Sequence, residues 1–502
     1  MKSEMDIVYA LELLKKMNSL TIRGVPLDQF FNSISASAWS TKQFFLLSQI
    51  KEYSQFKQFD AFLQARRTRD SQKSFFGIFV SRCFILFSSF VAACILILGR
   101  VSVVTFEADR VREGTRFSPR LFRVFEICSA KHVRYVEFVH ATSGISLIRN
   151  AFKRRRFVFY LEAMDVLHSA YRFVKKIDMP DMKSDIDFGS CTEDERRFIE
   201  YLLNKTIIAI YESEWRVASL TYVLRHSSVR DFVSIDDFRY MHEIIEACGR
   251  VGVTSHIFQH SNFDYLMGLD TLPAATYPFP DTFYVWNTYW LGRIPAISPL
   301  FEYYKERLAI GARTYVFEDV ESLEGVSVVD GDTLSVLIPY EISLTAAQVS
   351  PYINALISEP RIQVTIQLRG DVDREEQIAK YTNGGECDSS KIRFSTQREK
   401  TESFLNAHVV LGVYSGFLDE SLEVCRPVGV LECGYPIVNP LVPQGLADSV
   451  SLDTSSIYKT LITIAQTPRH ELERRRAYVR KGGGNLEEVL TRILRKESDI
   501  VR

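Results

Sequence analysis

Residues 238–261 read FRYMHEIIEACGRVGVTSHIFQHS, and their pattern decides the fold class. Phe238, Met241, Ile244, Ile245 and Cys248 recur at helical spacing, with Ser234 ahead of them as the expected N-cap and Gly249 behind them as the expected C′ residue. Val251–Phe258 follows as a short apolar run with strand character. A helix feeding straight into a buried strand is the unit from which parallel sheets are built.

The alternation extends both ways. Upstream, Val101, Val103, Val104 and Phe106 predict a first buried strand that ends in the charged stretch Glu107–Glu113, and Phe157–Leu161 predicts another. A second cycle begins with Thr333–Pro339, continues through a helix carrying Tyr352–Ile357 and the strand Val364–Leu368, and reaches Ile392–Phe394 after a polar loop containing Gly384 and Gly385. A helix around Phe404 and the strands Val409–Val413 and Pro427–Leu431 complete it. The expected fold is α/β with two Rossmann-like halves, residues 101–300 and 331–468, joined by a linker at 301–330. Helical additions are expected at 1–100 and at 469–502, the latter packed on the outside.

Composition fits that reading. The 502 residues are 46% hydrophobic and 25% charged, with 16 prolines and 24 glycines, which excludes extensive disorder and fibrous repeats. With 61 Lys and Arg against 62 Asp and Glu, no general drive toward nucleic acid exists, so any basic contact surface is local. The eight cysteines form no CxxC, and no Cys/His group has structural-zinc spacing, as expected for reduced thiols in a cytoplasmic protein.

One segment stands apart. Cys83–Leu98 is free of charge between Arg82 and Arg100, slightly short for a membrane span, and is preceded by Arg66, Arg67, Arg69, Phe75, Phe76 and Phe79. Three readings are open: a helix buried against the following domain, a helix lying on the cytoplasmic face of a membrane, and a true span.

Several residues are candidates for chemistry. Gln259 and His260 fall at the carboxyl end of a predicted strand, the edge where open α/β sheets bind ligands, and an imidazole there serves as a general base or hydrogen-bond donor. His256, inside the same strand, is expected to be structural. In VVLGVYSGFLDESLE, residues 409–423, a strand ends in a small-residue turn and a helix begins. The N–H groups there and the Ser415 hydroxyl, next to Gly416, form an expected phosphate cradle; Glu420 is positioned for a ribose diol, and Asp419 and Glu423 are expected to face solvent. Arg369, after the Val364 strand, is a second phosphate candidate. The basic run Lys153–Arg156 is read as a solvated face or as a contact for an anionic acceptor or membrane. Neither GxxxxGK[ST] nor HExxH occurs.

The ordered series FRYMHEIIEACGRVGVTSHIFQHS, DYLMGL, PFPDTFYVWNTYW, SVLIPY, VTIQLRG and VVLGVYSGFLDESLEVCRPVGVL resembles the GT-B glycosyltransferases of bacterial surface polysaccharide (capsule and O-antigen) assembly, over roughly residues 230–435. Gln259 and His260 match that family's QHG motif. Asp281, Trp286 and Trp290 match its aspartate and aromatic stretch, and Ser415, Glu420 and Pro427 its closing segment. Two positions depart: Ser261 stands for the glycine of QHG, and Arg369-Gly370 for a histidine-proline pair that contacts the donor. The resemblance implies two Rossmann-like domains facing a cleft, with Gln259, Asp281 and Trp286 on the acceptor side and Arg369, Ser415, Gly416 and Glu420 on the donor side. It implies a nucleotide-sugar donor, a glycan or lipid-linked glycan acceptor, possible contact with the inner membrane, and neither a cofactor nor a resident metal. A CDP-polyol phosphotransferase of teichoic-acid type and a non-catalytic scaffold of polysaccharide assembly are the alternatives.

Overall fold

The computed structural model describes the chain apart from residues 1–6, 72–74, 110, 112–115, 119, 142–144, 176–185, 236–240, 261–273, 315–332, 342–343, 370–372, 383–386, 397–398, 436–438, 454–455 and 495–502. Ser261, the DYLMGL segment, Gly370, Gly384, Gly385 and most of the expected linker therefore lie outside the described residues. The described residues divide into two compact units. The first holds those up to His260, those from Ala274 to Thr314 and those after Gly482; the second holds Thr333 to Gly482.

The first unit opens with α1 (Ile7–Asn18), the short strands β1 (Thr21–Ile22) and β2 (Val25–Pro26), α2 (Leu27–Ser54), α3 (Phe59–Ser71) and α4 (Phe75–Leu98). Helices α1 to α3 enclose an aromatic core with Phe198, Ile199 and Leu202 from later in the chain, in which Trp39 stacks on Phe31 at 4.4 Å and Tyr53 on Phe198 at 3.9 Å. The chain continues through β3 (Val103–Ala108), α5 (Phe122–Ala130), β4 (Tyr135–His140), α6 (Ile145–Arg154), β5 (Phe159–Tyr160), α7 (Glu162–Lys175), β6 (Ile186–Asp187) and α8 (Glu193–Arg225). A capping box starts α8: the Thr192 hydroxyl accepts the Glu195 N–H and the Glu195 carboxylate accepts the Thr192 N–H. After it come β7 (Asp231–Ile235), α9 (Met241–Val251), β8 (Thr254–Phe258), β9 (Thr282–Val285), α10 (Thr288–Ile297), α11 (Pro299–Tyr303) and β10 (Leu308–Ile310).

The main sheet of this unit is wholly parallel, in the order β10-β9-β8-β7-β3-β4-β5. The chain first lays strands outward from β3 to β5 and then returns to the other side of β3, which is the Rossmann winding with its reversal between β3 and β7.

Two expectations for residues 234–258 shift. Ser234 lies inside β7, buried, where its hydroxyl donates to the Phe106 carbonyl at 2.7 Å instead of capping a helix. Gly249 lies within α9; the left-handed residue is Gly252 (φ 78°), and the Val253 N–H closes the helix on the Cys248 carbonyl at 3.0 Å.

The second unit contains β11 (Leu334–Pro339), α12 (Ala346–Ser358), β12 (Ile362–Gln367), α13 (Arg374–Tyr381), β13 (Ile392–Ser395), α14 (Lys400–Asn406), β14 (Val409–Gly412), α15 (Gly416–Glu423), β15 (Val428–Leu431), β16 (Asp448–Val450), α16 (Ile457–Ala465) and α17 (Arg469–Arg480). Its sheet is also wholly parallel, β13-β12-β11-β14-β15-β16, the same winding with the reversal between β11 and β14. Two Rossmann-like parallel sheets with added helices are thus present, as the alternation of patterns predicts.

The last helix, α18 (Leu486–Leu494), corrects the expectation that the carboxyl-terminal helices lie outside. It belongs to the first unit, where Val489, Leu490, Ile493 and Leu494 are buried with Val103, Val124, Phe125 and Val233. Gly484 donates its N–H to the Gly311 carbonyl at 2.8 Å, and a Cβ at that position would stand 2.6 Å from the same oxygen, so only glycine passes there.

Candidate functional site

In the second unit, parallel strands bring the residues following β12, β11 and β14 to one edge, on three neighbouring strands about 5 Å apart. These are Arg369, Glu341 and the turn Val413–Gly416. Glu341 was not singled out in the sequence, yet it organises the edge. Its carboxylate accepts the N–H groups of Val413 at 2.6 Å and Tyr414 at 2.8 Å. Burial raises its titration point to about 7, against the opposing pull of the N–H donors of Tyr414, Val413 and Ser415 and the charge of Lys380. Lys380 donates to the Glu341 carbonyl at 2.6 Å, and the Tyr381 hydroxyl accepts the Glu341 N–H and donates to Pro339 O. Gly412 makes room for this carboxylate, since a Cβ there would come within 2.8 Å of its Oε1.

This alters the expected phosphate cradle. Part of the turn's donor set is engaged by an internal carboxylate. Ser415 is the N-cap of α15, its Oγ accepting the Phe417 N–H at 3.2 Å, while its own O–H remains a separate donor. Gly416 is the first residue of α15. The Glu420 carboxylate, expected to meet a ribose, pairs with Lys400 Nζ at 2.7 Å, and that ammonium lies 5.1 Å over the Phe417 ring. Asp419, expected at the surface, is buried. Arg369 is half-buried, and its backbone is held on both sides by the Gln377 amide, which accepts its N–H and donates to its C=O, each at 2.8 Å. The guanidinium stem thus leaves a fixed point on the edge.

In the first unit, His260 is half-buried two residues beyond β8. Gln259 is fully buried and does not present its amide to a ligand: its Oε1 accepts the Trp286 N–H at 3.1 Å, and its C=O accepts the Trp286 indole N–H at 2.6 Å. Trp286, packed edge-on against Trp290 and covered by Arg313 at 4.1 Å, completes a brace that fixes the chain just before His260. Asp281 is a clear departure. It precedes β9 and accepts both the N–H and the hydroxyl of Ser255 at 2.8 Å, at the amino-terminal edge of the sheet and about 16 Å along β8 from His260. His256 is buried with its Nε2 3.3 Å from Asp231, as a structural histidine.

The reversal point of this sheet carries buried charge, and it corrects the expectation that Lys153–Arg156 is a solvated face or contact surface throughout. Beyond β3, the buried Asp109 pairs with the buried Arg154, whose Nε lies 3.3 Å from Glu137. At the end of β4, His140 Nδ1 meets Glu162, which also accepts the Ala141 N–H at 3.0 Å. A carboxylate within two residues of an apolar strand end is the one signal that marks both Asp109 and Glu341 in sequence. Among the described residues, no group of three or more His, Cys, Asp and Glu is placed to hold a metal ion.

No family model matches the chain, and no curated protein matches it. Solved structures do. It is similar to UDP-GlcNAc 2-epimerase from Neisseria meningitidis bound to UDP-GlcNAc, at 12% identity over 79% of this chain and 100% of that one, TM-score 0.45. It is similar to MurG from Acinetobacter baumannii, at 10% identity over 79% and 99%, TM-score 0.43. It is also similar to the MnaA–UDP structure from S. aureus, at 11% identity over 80% and 98%, TM-score 0.46.

Proposed function

We propose that this chain is a GT-B glycosyltransferase that moves a sugar from a nucleotide-sugar donor to a glycan or lipid-linked glycan of a bacterial surface polysaccharide. The observation that carries the reading is the turn Val413–Gly416, which meets a helix N-terminus at the reversal point of a parallel sheet, where open α/β sheets bind nucleotides. The Ser415 hydroxyl and the Arg369 guanidinium are the donor-phosphate contacts; the first unit takes the acceptor, with His260 as base or hydrogen-bond donor. Stabilising the leaving phosphate falls to α15 and Arg369 rather than to a resident metal.

A thermal-shift series against CMP, CDP, UDP, GDP and TDP tests it, because a ligand that binds only the folded state raises Tm. A rise with one nucleotide that is lost in Ser415→Ala supports the transferase. A second reading, the non-catalytic scaffold, is favoured by the internal partners of Val413, Tyr414 and Glu420. Flat curves with every nucleotide, with acceptor present, favour that reading instead.

A further inference from the structure

Helix α4 contains a stretch, Phe79–Leu98, long and apolar enough to cross a bilayer, and only 28% of it is buried. The buried part is one stripe: Ile85, Ser88, Ser89, Ala92 and Leu96, spaced at three and four residues. Ser88 and Ser89 do specific work in it. The Ser88 hydroxyl donates to the Val158 carbonyl at 2.8 Å and accepts the Val158 N–H at 3.2 Å, and Ser89 makes the same pair of bonds to Tyr160. The helix thereby satisfies the outer edge of β5, the last strand of the sheet.

The opposite stripe is open. Phe79, Phe87, Phe90 and Leu98 are 59%, 57%, 69% and 81% exposed. The apolar surface continues onto the elements packed against α4: Phe157 meets Phe87 ring to ring at 5.6 Å, and Phe152 on α6 is 78% exposed. Among the described residues of α4, α6, α7 and the loops beside them, the exposed charges have one sign. Arg82, Arg100, Arg149, Lys153, Arg155 and Lys175 are exposed. The only acids on α4, α6 and α7 are Glu162 and Asp165, which are paired with His140 and Arg216. Arg154 and Arg156, the other half of the 153–156 basic run, turn inward to Asp109 and Glu137. A chain of net charge −1 has thus gathered an aromatic face and a cationic rim in one place.

We propose that this face docks on an anionic lipid bilayer, with α4 lying in the interface plane rather than across it. A spanning helix would have to expose its whole circumference to lipid, which would strip Ser88 and Ser89 from the β5 edge. A helix lying flat keeps those bonds and puts only Phe79, Phe87, Phe90 and Leu98 among the acyl chains, with the lysines and arginines at headgroup level. The surface stands apart from the nucleotide assignment, so its test reads lipid binding and not transfer.

The experiment is flotation of the full chain with vesicles of phosphatidylcholine alone or with about one third phosphatidylglycerol. The expected result is binding to the anionic vesicles only, lost in high salt, and weakened about tenfold or more in Lys153→Glu/Arg155→Glu and in Phe90→Ser/Phe152→Ser. All four positions are exposed, so Tm should be unchanged. Equal binding to both vesicles, no binding to either, or full binding by both variants would overturn the proposal. Retention through a high-salt, alkaline wash would replace it with a span. A soluble dimer that Phe90→Ser/Phe152→Ser converts to monomer would replace it with self-association.

Discussion

Glu341 shows how much one side chain can decide. In Glu341→Gln, at least one of the N–H groups it accepts faces an NH2 group instead, which costs about 1–3 kcal/mol for a buried donor left unpaired. The carboxyl also gives stability a pH dependence. Its folded value of about 7 stands above the ordinary 4.5, so the folded state holds the extra proton between those values. Its contribution is complete below pH 4.5, declines as pH rises to 7 and is flat above. Urea midpoints at pH 5, 6, 7 and 8 should show that slope in wild type and a shallower one in Glu341→Gln; parallel lines would remove Glu341 from the account. Ser415→Ala, which removes the α15 cap, should cost about 1 kcal/mol in the same assay and should abolish any nucleotide-dependent rise in Tm.

At the level of elements, Arg216 on α8 joins α7 to α9, its Nε and Nη2 on Glu243 at 2.6 and 2.8 Å and its Nη1 on Asp165. Arg216→Met leaves two carboxylates without their cation, one of them fully buried, and should destabilise the first unit by about 3–5 kcal/mol; calorimetry reads this as a fall in the transition that belongs to that unit. The strands were the legible part of the sequence, because both faces of a parallel sheet are covered and its strands stand out as apolar runs. Thr333–Pro339, Val364–Leu368 and Val409–Val413 were placed to within about a residue or two. Asp231–Ile235 was missed because polar Asp231 and Ser234 interrupt it, and each is matched by a partner on another strand that no local pattern reveals. The candidate site was less legible for the same reason. Gln259, Glu420 and Asp281 have the right chemistry for ligands, but Trp286, Lys400 and Ser255, distant or differently placed in sequence, already occupy them.

For the molecule as a whole, two Rossmann-like windings follow one another in the chain, but the first is finished by its last described helix. Four buried aliphatic side chains of α18, at about 1.5–3 kcal/mol each, amount to the whole net stability of an ordinary domain. Deleting residues 483–502 should therefore leave the second unit's thermal transition in place and abolish the first unit's, which limited proteolysis would show as a resistant fragment beginning near residue 333. The consequence reaches back to biosynthesis. While the chain is still on the ribosome, the second winding emerges and can settle, but the core around Val103, Phe125 and Val233 lacks the four α18 side chains until residue 494 clears the exit tunnel. A stop anywhere in the second winding would therefore cost the first unit as well as the second, because the helix that covers this face is encoded after both.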